Sequence, residues 1–177
     1  MRREALMMKS LKKVSLIVAF ILLTAMGGYS PADSGKNPSV IEKAADFSLK
    51  DLRGGTVPFS SMRGKVVLLS FWATWCPPCV SEMPSLNKLY QELRPRGFEV
   101  VAVSLDRSAD DVREYTGKKG FKFLILMDEG NKVARLYKVF STPTTFLIDR
   151  KGNIIERFYG EYDWQDRDIR AKIEKLF

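Results

Sequence analysis

Between Val66 and Phe71 the chain runs VVLLSF, with one hydroxyl and no charge. A strand with one wet face would alternate apolar and polar residues, so this unbroken run predicts a strand buried on both faces. Val100–Ser104 repeats the pattern, and Phe121–Met127 reads as a third strand. Between the first two strands the spacing changes to threes and fours. Cys79, Val80, Met83, Leu86, Leu89, Tyr90 and Leu93 mark one face of a helix. Asp110–Lys119 reads as a polar helix, and Asn131 is placed to N-cap a short helix carrying Val133, Leu136 and Tyr137. Thr145–Asp149 and Ile154–Tyr159 predict a hairpin across Arg150-Lys151-Gly152-Asn153. The last helix is expected to start at Asp163, with Ile169, Ile173, Leu176 and Phe177 as its apolar stripe. Upstream, Phe47-Ser48-Leu49 and Val57-Pro58-Phe59 flank the Asp51–Gly55 turn as a short hairpin. Crossover helices between early strands imply a parallel core, and the late hairpin adds antiparallel strands. The fold class is therefore α/β, a mixed central sheet with helices on both faces.

The first thirty residues follow a different rule. Arg2, Arg3, Lys9, Lys12 and Lys13 precede the uncharged stretch Val14–Tyr29, which ends in small residues and a polar, turn-forming run. This is the order of a secretory signal. The apolar stretch is short of the roughly 20 residues a spanning helix prefers, yet an uncleaved N-terminal membrane anchor stays open beside a cleaved signal. Either reading is extracytoplasmic and divides the chain into a signal or anchor (1–28), a linker rich in Pro, Ser and Gly (29–39) and one domain (40–177). It also divides the charge. Of the formal +8 over 177 residues, five bases and one acid fall in 1–28, leaving 24 bases and 20 acids scattered over the rest. With no dense basic run and no aromatic interleaving, nucleic acid is not the expected partner.

The chain contains no His and only two Cys. Triads built on imidazole, Cys-His nucleophile pairs and HExxH zinc sites are thereby excluded, and two thiols are half a structural zinc site. No metal is expected. Both cysteines lie in Trp75-Cys76-Pro77-Pro78-Cys79, directly after a buried strand and at the start of a helix. There the unpaired first-turn amides and the helix dipole stabilise a thiolate at Cys76, lowering its pKa below the ordinary value of about 8.5. Pro77 and Pro78 lack amides to donate, so the lowering is expected to be moderate. Two intervening residues allow Cys79 to attack a mixed disulfide on Cys76, the arrangement of a dithiol–disulfide exchange site. A merely structural disulfide would close a loop too short to remove much chain entropy.

With Phe71-Trp72-Ala73-Thr74-Trp75-Cys76-Pro77-Pro78-Cys79, Ser81-Glu82-Met83-Pro84 and Ser141-Thr142-Pro143-Thr144-Thr145-Phe146-Leu147-Ile148-Asp149, the chain resembles the thioredoxin superfamily. Within it the resemblance is to the exported TlpA/ResA-like thiol–disulfide oxidoreductases, over roughly residues 40–177, including the N-terminal hairpin and the Asp110–Met127 helix–strand insertion. The resemblance implies that Pro143 is a cis-proline opposite the CxxC, with Thr142 before it and Trp75 and Pro77 beside it as client-binding residues. The residues alone leave a trans strand-entry proline equally open. It also gives Glu82 a role in proton handling. The spacing of three from Cys79 puts both on one helix face but leaves a solvated surface residue open. One departure stands out: cytoplasmic thioredoxins carry a buried Asp where this chain has Ser70, so that proton relay is not carried over.

The expected activity is protein disulfide reduction, with Cys76 and Cys79 as the redox pair, Glu82 or water moving the proton, and no cofactor beyond the Cys76–Cys79 disulfide. The resemblance implies exported client proteins, such as apocytochrome c awaiting haem, and a membrane reductant of the DsbD/CcdA type. The alternatives are a disulfide-forming oxidase or isomerase and a non-catalytic binding module. A peroxidase would need Pro and Thr where this chain has Leu69 and Ala73.

Overall fold

A computed structural model describes residues 42–177. Its elements are β1 (Ser48–Asp51), β2 (Thr56–Pro58), β3 (Val66–Trp72), α1 (Pro77–Leu93), β4 (Phe98–Ser104), α2 (Ala109–Lys119), β5 (Leu124–Met127), α3 (Lys132–Leu136), β6 (Thr144–Ile148), β7 (Ile154–Tyr159) and α4 (Arg167–Glu174). The expected targeting segment 1–28 and linker 29–39 lie outside the described residues. No helix among the described residues is long and apolar enough to cross a membrane.

The seven strands form one sheet in the order β2-β1-β5-β4-β3-β6-β7. β3, β4 and β5 run parallel, while β1, β6 and β7 join antiparallel. The mixed sheet thus follows the expected pattern, with β3 interior to it and every residue of that strand buried. Parity along β3 sorts the core into two layers. Val66, Leu68 and Trp72 face a layer made with Met83, Leu86 and Leu89 of α1, Val112 of α2 and Ile173 of α4. Val67, Leu69 and Phe71 face the other, made with Val133, Ala134 and Tyr137 at α3 and with Phe59.

Three local expectations are corrected. The third strand begins at Leu124 and not at Phe121. The Phe121 and Phe123 rings stack at 5.3 Å, and Tyr90 meets Phe123 edge-on at 6.2 Å, so their apolar character serves aromatic packing outside the ladder. Asn131 lies before α3 but does not cap it: its φ is 57° and its side chain makes no cap bond. The buried Asp128 carboxylate instead accepts the Val133 and Ala134 amides at 3.1 and 2.8 Å, and Leu136 is 52% exposed. The last helix starts after Asp166, whose carboxylate takes the Asp168 and Ile169 amides, while Asp163 closes a preceding turn onto Gln165.

Candidate active site

β3 delivers the chain from the sheet interior into the turn Ala73–Trp75, and Cys76 is the N-cap of α1. The Cys76 amide donates to the Ala73 carbonyl at 3.2 Å and the Val80 amide donates to the Cys76 carbonyl at 3.1 Å, which fixes the residue at the helix entrance. Pro77 and Pro78 take the first helical positions, where an N–H would have no intrahelical acceptor. The amide that reaches the Cys76 sulfur is that of Cys79, at 3.4 Å. One such donor, added to the helix dipole, favours a thiolate at Cys76.

Cys76 and Cys79 form a disulfide with their Cα atoms 5.3 Å apart. The pair is asymmetric. Cys79 is wholly buried, whereas Cys76 sits beside the exposed Trp75 and Pro77 and retains a little accessibility. Cys76 is therefore the member of the pair that solvent reaches. Across the opening, the Thr142–Pro143 peptide is cis, and the Thr142 carbonyl oxygen lies 3.6 Å from Cys76 Sγ. The sulfur carries no proton in the disulfide, so in this state it is a packing contact. Thr144 Oγ1 donates to the Ser141 carbonyl at 2.7 Å and braces the turn from the far side.

Glu82 is not a solvated residue: it is 2% exposed. Its Oε2 accepts the Tyr162 amide at 3.1 Å, while Oε1 has no partner. Burial pushes the carboxyl up from 4.5 to about 7, against the opposing pull of the Tyr162 amide and the Trp164 indole, with a small further rise from Glu161. The indole N–H favours the anion by proximity but closes no hydrogen bond of ordinary geometry. The segment 161–165 is strapped to α1 by further bonds. Ser81 pairs with Glu161, the Trp164 amide donates to Ser85 Oγ at 3.2 Å, and Gln165 Nε2 donates to the Ser85 carbonyl at 3.1 Å.

A second carboxylate holds the other side of the turn. Asp106, buried at the end of β4, accepts the Thr74 amide at 3.0 Å, the Thr74 hydroxyl at 2.6 Å and the Ser104 hydroxyl at 2.7 Å. Thr74 is two residues before Cys76, so β4 pins the turn that carries the sulfur. Neither Asp106 nor the 161–165 strap was visible in the sequence motifs, because their partners are 32 and about 80 residues distant. An isolated Asp just beyond a buried strand was the only local sign.

The structure thus brings Trp75, Cys76, Cys79, Thr142 and Pro143 to one opening, and Glu82 beneath it on the helix that Cys79 begins. Ser70 is buried in β3 and its hydroxyl has no partner. It offers no ionisable group in place of the absent Asp.

A wholly buried cysteine disulfide-bonded to a slightly accessible one at a helix entrance, with a facing cis-proline turn, defines a thiol–disulfide oxidoreductase of the thioredoxin superfamily. The chain belongs to the AhpC/TSA family, whose model matches residues 40–157. It is similar to the thiol-disulfide oxidoreductase ResA of Bacillus thuringiensis, 35% identical over 158 residues that cover 85% of this chain and 91% of the relative. ResA of Geobacillus kaustophilus is 36% identical over 162 residues, covering 90% and 92%. Among solved structures, a Chlorobium tepidum protein provisionally named thiol:disulfide interchange protein DsbE superposes with a TM-score of 0.71. It is 34% identical and covers 76% of this chain and 95% of its own. These likenesses confirm the ResA-like resemblance. Leu69 and Ala73, at the positions where a peroxidase would need Pro and Thr, are fully buried apolar residues.

Proposed function

We propose that the protein is an extracytoplasmic protein disulfide reductase. The observation that carries this reading is the asymmetry of the pair, with Cys76 at the opening and Cys79 wholly buried behind it. The Cys76 thiolate attacks one sulfur of a client disulfide, and the other client sulfur leaves as a thiolate. Cys79 then attacks Cys76 in the mixed disulfide and expels the second client thiolate. The client gains two electrons and two protons, and the protein is left in the disulfide form.

Resolution requires Cys79 to lose its proton in a site without imidazole. Glu82, buried three residues along the same helix and titrating near neutrality, takes that proton directly or through water. Trp75, Pro77, Thr142 and Pro143 seat the client. Two cysteines provide no second pair for re-reduction. The electrons are therefore supplied by a membrane reductant of the DsbD/CcdA type, and no further cofactor is needed. The basic-then-apolar N-terminal segment supports placement outside the cytoplasmic membrane, either free or anchored. Apocytochrome c is the client class that the ResA-like resemblance suggests.

Trapping tests this reading. Full-length Cys79→Ser, expressed with its own N-terminus, should hold clients on Cys76 as mixed disulfides that dithiothreitol releases, and the clients should be exported proteins. A reduction potential of about −250 mV or lower fits a reductant, whereas a value near about −120 mV marks a disulfide-forming oxidase and overturns the direction proposed.

A further inference from the structure

Trp75, 66% exposed, stands between two clefts. The larger, about 470 Å³, is lined by Asp106, Arg107 and Asp111, and the other, about 400 Å³, by Ala134, Arg135, Phe140 and Thr142. Phe140 is 95% exposed, so its ring contributes almost nothing to the core. Phe140 and the exposed Trp75 line the same cleft, so two open aromatic rings flank one groove, which is the kind of apolar patch that marks a contact surface. The charges of the two clefts differ. In the first, Asp106 is engaged by Thr74 and Ser104, and Asp111 and Arg107, one of each sign, both line the cleft. In the second, Arg135 is the only charged lining residue, and among the described residues it makes no ion pair. Arg113, Arg157 and Arg170, by contrast, each hold a carboxylate. The Thr142 amide likewise has no hydrogen-bond partner among the described residues.

We propose that the cleft between Trp75 and Phe140 selects client segments with an acidic side chain close to the reacting cysteine. Its carboxylate pairs with Arg135 while a neighbouring apolar side chain covers Phe140. The inference rests on the reductase reading and names the substrate class of that same site. An extended segment pairing with the Thr142 backbone presents alternate residues on one side, each pair about 6.6 Å apart. A residue two positions from the client cysteine therefore leaves the sulfur along the cleft toward Phe140, itself two residues from Thr142. The guanidinium fork matches a carboxylate in two parallel hydrogen bonds and has no such fit to an amide or an ammonium.

Three peptides of one sequence test this, each with a single cysteine held as a mixed disulfide with 2-mercaptoethanol and with Glu, Gln or Lys two residues away. Second-order rate constants with the reduced full-length protein are divided by those with dithiothreitol, which removes the intrinsic effect of the neighbouring charge. The Glu peptide should react about fivefold faster than the Gln peptide, with the Lys peptide slowest and the spread shrinking in high salt. Arg135→Gln should abolish the preference, and Arg135→Glu should reverse it in favour of Lys. Phe140→Ser should slow all three peptides and keep their ratios. Because each ratio is internal to one protein, partial misfolding cannot imitate these results. Equal normalised rates in the unaltered protein, or a preference lost with Arg107→Gln and kept with Arg135→Gln, would overturn the inference while leaving the reductase reading intact. Failure to reduce any of the peptides would overturn both.

Discussion

The Tyr162 amide donates to Glu82 Oε2 at 3.1 Å and leaves Oε1 of the same carboxyl without a partner. One hydrogen bond is too little to offset the loss of solvent around an anion, and this is why burial dominates and the carboxyl titrates near 7. In the unfolded chain the same group titrates at its ordinary 4.5. Between these values the folded state holds a proton that the unfolded state has released, so stability falls as pH rises from about 4.5 to about 7. The loss is on the order of 3 kcal/mol. Denaturant unfolding of the oxidised protein across this range should show the decline, and Glu82→Gln should flatten it. Parallel curves for the two proteins would mean that Glu82 does not carry the pH dependence.

The same proton bears on the rate. If Glu82 takes the Cys79 proton, reduction of a peptide disulfide should show an inflection near pH 7 that Glu82→Gln removes. The rate at neutral pH should drop by on the order of ten- to a hundredfold. A purely structural Glu82 would lower the amount of active protein without moving the pH profile. An unchanged profile in Glu82→Gln would therefore take the carboxyl out of the mechanism and leave the transfer to water.

How far these features could be read from sequence depends on the distance over which each is determined. The strand β3 and the helix α1 were legible because apolar runs and threefold spacings are local, and the CxxC announced itself through position. The faces of the sheet were legible too, since crossover helices force parallel pairing. What was not legible is what long-range contact decides. Asn131 has a capping side chain, but Asp128 reaches the α3 amides first because β5 ends beside them. Phe121 and Phe123 carry strand-like apolarity that is spent on stacking. Glu82 was ambiguous by spacing alone, and the strap from Tyr162 to Gln165 that buries it comes from about 80 residues downstream.

Ser70 gives a prediction with a definite sign. Its hydroxyl is buried in β3 and makes no hydrogen bond, so the folded state carries an unsatisfied polar group. Ser70→Ala removes that group and changes little volume. It should leave stability unchanged or raise it by about 1 kcal/mol, read from the denaturation midpoint at constant slope. A loss of more than about 1 kcal/mol would show that the hydroxyl has a partner in solution, an internal water being the simplest.

Asp106 is a positioning residue by geometry. Three donors converge on its two oxygens, and two of them belong to Thr74, so the turn that carries Trp75 and Cys76 is tied to the end of β4. Asparagine has the same shape, but its amide nitrogen can meet Thr74 Oγ1 only if that hydroxyl turns from donor to acceptor, and the charge that strengthens the other two bonds is lost. The weakening should cost about 1–2 kcal/mol. The effect should be local. In Asp106→Asn the Thr74 amide should exchange with solvent faster relative to the amides of β3, while α4 and the β6–β7 hairpin keep their protection. Peptide-disulfide reduction should slow, because Cys76 no longer stands at a fixed distance from the Thr142 turn. Uniformly increased exchange over the whole domain would mark Asp106 as a general stabiliser, and unchanged Thr74 exchange with an unchanged rate would show that the turn is held by other bonds.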